Sequence, residues 1–124
     1  VGGNISVLYS MLGSDIFPDT RGKILFLEDL DEYLYHIDRM MVAMERAGKL
    51  SDIKGLIVGG LTQMHDNTIN FGQSAEEILM ERVSTYDIPV CFGFPAGHIN
   101  DNRALVLGRK MRLNVDDRVL LEFV

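Results

Sequence analysis

Lys23-Ile24-Leu25-Phe26-Leu27-Glu28-Asp29 is a nearly continuous apolar run that closes on two acids. Upstream it is bounded by Phe17-Pro18-Asp19-Thr20 and Arg21-Gly22, which is turn chemistry. A run this short, unbroken by polar residues and fenced by a turn, reads as a buried strand. The two acids then stand at its C-terminal end, the place where open α/β sheets put their sites.

Outward from this strand the pattern alternates. Before it, Ile5, Leu8, Tyr9 and Leu12 recur at helical spacing behind Asn4, a good N-cap, and Gly13 lies where that short helix would stop. After it, Leu34, Ile37, Met41 and Met44 give one apolar face to a helix from Tyr33 to Ala47, ended by Gly48. A second buried strand, Gly55-Leu56-Ile57-Val58-Gly59, leads into a polar loop from Thr62 to Gly72. A helix then opens on Ser74-Ala75-Glu76-Glu77, a capping-box pattern, with Ile78, Leu79 and Val83 as its inner face. Ile88-Pro89-Val90-Cys91-Phe92-Gly93 reads as a third strand, whose Pro89 assigns it to the strand's first residues or to a sheet edge.

Beyond the loop from Phe94 to Asn102 the pattern changes to short strands, Ala104–Leu107, Lys110–Leu113 and Val119–Phe123, separated by Gly108 and by Asn114-Val115-Asp116-Asp117. Strand-helix alternation followed by a β-meander predicts a mixed α/β domain, in three layers if the second sheet closes on the first.

At 124 residues there is room for one domain with one core. The formal charge of −6 argues against sequence-independent binding of nucleic acid, which needs clustered Lys and Arg. Cys91, the single cysteine, rules out an internal disulfide and points to a reducing, cytoplasmic compartment. No apolar stretch has the length of a membrane span and no signal peptide is apparent, so no membrane partner is expected. The chain opens on Val1-Gly2-Gly3-Asn4 and reads as an excised piece of a longer protein.

The residues that could carry chemistry each have a plainer reading beside the functional one. Glu28 is a candidate acid, yet for a lone acid at such a junction the commoner role, open to Glu28 or Asp29, is to cap the helix that follows. His98, in Gly93-Phe94-Pro95-Ala96-Gly97-His98, lies in a post-strand loop of the kind that hosts catalytic bases, although a single histidine there is more often an ordinary turn or partly buried residue. His65 and Asp66 are candidate metal or substrate contacts, but His36, His65 and His98 have no compact ligand spacing, and neither a metal nor a cofactor is expected. Gly2-Gly3-Asn4 before a helix lacks the full phosphate-binding fingerprint, and Cys91, within an apolar strand, reads as an inert core residue.

Taken together, Gly2-Gly3-Asn4, Gly22-Lys23-Ile24-Leu25-Phe26-Leu27-Glu28-Asp29, Ile37-Asp38-Arg39-Met40 and Gly93-Phe94-Pro95-Ala96-Gly97-His98 resemble, in order and nearly end to end, the C-terminal domain of LD-carboxypeptidases. The resemblance implies a swivelling β/β/α-type fold over residues 1–124. It also implies a Ser-His-Glu triad divided between two domains, in which Glu28 orients His98 and His98 is the general base. The serine would sit on an N-terminal domain, which is then the partner this chain lacks. The family's substrate is murein tetrapeptide, trimmed of its terminal D-alanine in cytoplasmic peptidoglycan recycling. The related microcin C self-immunity peptidases act on a peptidyl-nucleotide-like toxin.

No Gly-x-Ser-Asp-like nucleophile elbow occurs in the chain. Ser6, Ser10, Ser14, Ser51, Ser74 and Ser84 all fall in helices, turns or a cap, so the chain alone is expected to be inactive. The rival reading is a stand-alone binding or assembly domain that kept the fold without catalysis. A surface built to face a missing domain should expose an apolar patch near His98, which would also serve to pair two copies into a homodimer.

Overall fold

The structure, a computed structural model describing residues 1–124, contains two sheets and three helices. Strands β1 (Gly2–Asn4), β2 (Ile24–Leu30), β3 (Gly55–Thr62) and β4 (Val90–Cys91) form one sheet in that order, with every pairing parallel. Helices α1 (Ile5–Ser10), α2 (Leu34–Arg46) and α3 (Ala75–Val83) follow the first three strands. The last two strands, β5 (Met111–Val115) and β6 (Val119–Phe123), make a separate antiparallel hairpin.

The apolar run of β2 is continuous because both faces of the strand are covered, as parallel sheets require. Successive side chains alternate between faces. Leu25 and Leu27, with Leu56 and Val58 of β3, join Ile37, Met40, Met41 and Met44 of α2 and Ile78, Leu79 and Val83 of α3 in the main core. Phe26 and Ile57 face the other way and meet Cys91 and Ala96, against which Leu113, Val115 and Leu121 of the hairpin pack. The layers are therefore helices, parallel sheet, hairpin. Charge finishes the helical layer: Arg82 of α3 reaches Asp38 and Glu45 of α2.

Local signals hold where the chain decides structure by itself. Asn4 caps α1 by accepting from the Val7 amide, and Ser74 with Glu77 forms the complete capping box of α3. Neighbours change the outcome elsewhere. Gly2–Asn4 is a strand only because β2 lies beside it. The third predicted strand shrinks to Val90–Cys91, preceded by Pro89 at the sheet edge. β3 runs three residues past its predicted end.

The predicted meander is reduced to a hairpin: Ala104–Leu107 has no strand partner, although Leu105 still packs on the second core cluster. No helix of the chain is long and apolar enough to cross a membrane.

Leu27 is wholly buried in the main core one residue before Glu28. Leu27→Ala should cost about 2–5 kcal/mol in a denaturant melt, through lost transfer energy plus a residual cavity.

Candidate active site

Three post-strand loops converge at the C-terminal edge of the parallel sheet, and the pairing of β2 with β3 is irregular there. Leu27 lies opposite Val58 but Asp29 lies opposite Leu61, so β3 carries one extra residue across from Glu28. Such bulges bend a strand locally and recur beside active sites. The extra length falls at Gly59-Gly60, where the loop after β4 comes closest. A Cβ on Gly59 would stand 2.3 Å from the Ala96 carbonyl oxygen.

That loop is then fastened to β3 by a series of hydrogen bonds. The Phe94 amide donates to the Val58 carbonyl, the Gly60 amide to Ala96, and the Thr62 hydroxyl to the carbonyl of His98.

The result places His98 on Glu28. The Glu28 carboxylate accepts from the His98 backbone amide at 3.2 Å and meets imidazole Nδ1 at 2.8 Å, both through Oε2. Gly97 makes the approach possible: its φ is +105°, and a Cβ there would lie 2.7 Å from Oε2. The Glu28 side chain is only 7% exposed while the imidazole is 54% exposed, so the acid is enclosed and the base faces outward. With Nδ1–H donated to the carboxylate, Nε2 is left without a partner in the chain. The hydrogen bond to Glu28, followed by its charge, raises the His98 pKa above the ordinary 6.5.

Asp29 resolves the question of the helix cap. It faces away from Glu28, accepting from the Asn4 side-chain amide at 2.8 Å and from the Ser6 amide at 2.9 Å. It thus anchors the start of α1, the helix before the strand, while α2 begins at Tyr33 without a side-chain cap.

The other candidates fall elsewhere. His65 pairs with Asp31, and Asp66 holds its own loop through the amides of Asn67 and Phe71. His36 pairs with Glu32 at 2.6 Å. Cys91 is buried, and burial pushes its thiol pKa up. No group of three metal-ligating side chains is present. None of the six serines hydrogen-bonds to His98; their hydroxyls bond to Asn4, to nearby carbonyls or, for Ser74, to the Glu77 amide. Sequence reasoning passed over Asp31, Glu32, Tyr33 and Tyr35, although four polar or aromatic residues in the five directly after a buried strand were the available signal.

The family model for the LD-carboxypeptidase C-terminal domain matches residues 1–113. The chain belongs to that family. Among its relatives, a probable murein peptide carboxypeptidase from Bacillus subtilis is 36% identical over 95% of this chain and 37% of its own length. The microcin self-immunity protein of Escherichia coli is 29% identical over 95% of the chain and 34% of its own. The crystal structure of muramoyltetrapeptide carboxypeptidase from Oxalobacter formigenes superposes with a TM-score of 0.86 at 31% identity, covering 98% of this chain and 43% of that one. The chain thus spans less than half the length of these relatives.

Two measurements test this geometry. In an NMR titration His98 should show a pKa above 6.5 that falls toward that value in Glu28→Gln. Because the folded pKa is the raised one, the ion pair contributes its full stability below about pH 6.5 and loses it as pH climbs through the folded value. Gly97→Ala should destabilise the fold by about 1–3 kcal/mol, from its left-handed backbone, and remove the Glu28-dependent part of the His98 shift. An unchanged titration curve in either variant would contradict the pairing.

Proposed function

We propose that this chain supplies the Glu and His of a Ser-His-Glu triad whose serine lies on a preceding N-terminal domain. The observation that carries the proposal is the enclosed Glu28 carboxylate bound to Nδ1 of a half-exposed imidazole. That arrangement fixes the tautomer, so that Nε2 can take the proton of an approaching serine hydroxyl. The carboxylate stabilises the imidazolium that results, and His98 then returns the proton to the leaving amine.

An oxyanion hole normally draws on the amide following the nucleophile, so it would also belong to the other domain. On this reading the chain alone has no peptidase activity.

The substrate is murein tetrapeptide, from which the parent protein removes the terminal D-alanine in cytoplasmic peptidoglycan recycling. The murein reading ranks ahead of a peptidyl-nucleotide because the muramoyltetrapeptide carboxypeptidase structure superposes on this chain at a TM-score of 0.86 against 0.66 for the microcin self-immunity protein, although murein-named relatives are 36% and 26% identical against its 29%. A non-catalytic binding module would have no use for a buried carboxylate trained on an outward-facing base.

The test is to express the full-length parent and follow D-alanine release from L-Ala-γ-D-Glu-meso-diaminopimelate-D-Ala. His98→Ala should lower kcat by on the order of 10⁶-fold. In the intact parent, kcat/KM should rise with pH through the raised His98 pKa, since only neutral imidazole accepts the serine proton. Full activity with both Glu28 and His98 replaced would refute the assignment.

A further inference from the structure

His98 is held at both ends of its own residue. Its amide donates to Glu28 of β2, and its carbonyl accepts from the Thr62 hydroxyl of β3 at 2.9 Å. With both ends fixed, the backbone torsions from which the imidazole projects are fixed as well. The ring then reaches Glu28 from a defined starting point. Of the three hydrogen bonds that His98 makes, the one from Thr62 alone does not depend on Glu28.

Thr62 is itself anchored from several directions. It stands opposite Leu30 just beyond the irregularity in the β2–β3 ladder, and its carbonyl accepts from the Asp31 amide. Directly after this pairing both strands turn through left-handed backbone at residues that carry side chains, Asp31 at φ +60° and Gln63 at φ +54°. These are the two non-glycine residues of the chain with positive φ. Such a conformation is disfavoured and persists where surrounding contacts impose it. Here Asp31 Oδ1 bonds the His65 ring, the His65 amide donates to the Glu32 carbonyl, and the Leu34 amide donates to the carbonyl of His65, so the two turns are tied together. The β-branched side chain between them has few rotamers open to it, which gives its hydroxyl one direction.

We infer that Thr62, locked by the paired left-handed turns at Asp31 and Gln63, is a positioning residue for the base: its hydroxyl sets the His98 backbone so that the imidazole stays on Glu28 and Nε2 keeps one direction. The catalytic part of this inference rests on the proposed triad. Thr62 takes no part in proton transfer, because its own proton is committed to a backbone carbonyl. It acts through His98.

The test compares Thr62→Val, which keeps the branching at Cβ and deletes the donor, with Thr62→Ser, which keeps the donor. Amide spectra that match away from the loop establish that both variants fold. In an NMR titration of this chain, the His98 pKa, raised by the Glu28 bond and charge and less by Asp29, should fall toward 6.5 in Thr62→Val and hold in Thr62→Ser. In the full-length parent, Thr62→Val should lower kcat by on the order of 10²-fold with KM unchanged. Its kcat/KM should also rise at lower pH than in the original, and Thr62→Ser should restore both. A residue that served stability alone would lower the melting temperature without moving either pH curve. A His98 titration in Thr62→Val that matches the original chain overturns the inference, as does an unchanged kcat in a parent that releases D-alanine. If the original parent releases none while Thr62→Val still shifts the His98 titration, the murein reading fails and Thr62 stands as the residue that positions the Glu28–His98 pair.

Discussion

The interaction on which the rest of this structure depends is the double acceptance of N–H groups by one oxygen of Glu28, both from a residue 70 positions later in the chain. A carboxylate buried this deeply costs several kcal/mol unless it is hydrogen-bonded and charge-matched. Its partner comes from a loop, so the loop must be brought to the strand rather than the strand to the loop. The extra residue in β3, the absent side chain at Gly59 and the left-handed Gly97 are what let it come close enough. Remove any of them and the acid is left with water or with nothing.

Glu28 and Asp29 show how a period of two separates neighbouring residues into different jobs. Asp29 shares its face with Leu25 and Leu27 and so reaches the helical layer, where it ties down the start of α1. Glu28 shares its face with Phe26, on the side where the β4 loop and the hairpin pack. Exchanging the two by a slip of one residue would send the whole apolar set to the wrong layers along with them. The position of the acid is therefore guarded by the core.

Much of this was legible in the chain, and the boundary is physical. The strand of Ile24–Leu27, the capping box at Ser74 and the N-cap at Asn4 depend on neighbours within a few residues, and those readings hold. Strand β1 and the loss of the Ala104–Leu107 strand depend on what lies across a hydrogen-bond ladder, which local pattern does not contain. Alternation alone places Glu28 and Phe26 on a common face, but nothing in either loop states that His98 meets the acid. Only the ordered family resemblance paired them. Asp31 and His65 escaped pairing altogether, because their side chains meet only where a bridge between Tyr33 and His65 brings two loops together, which no spacing announces.

The proposed site, divided between two domains, asks different things of its two halves. The nucleophile must approach and orient a bond, whereas the base needs only a fixed tautomer and a free Nε2. Here the fixed part is built into the most constrained region of the chain: a parallel sheet covered on both faces, with the imidazole held at its backbone amide, its carbonyl and one ring nitrogen. The remaining freedom of the ring is rotation about bonds that the Glu28 contact already restrains. On the proposed division, the carboxylate-imidazole pair is complete within this chain and only the serine has to be brought to Nε2.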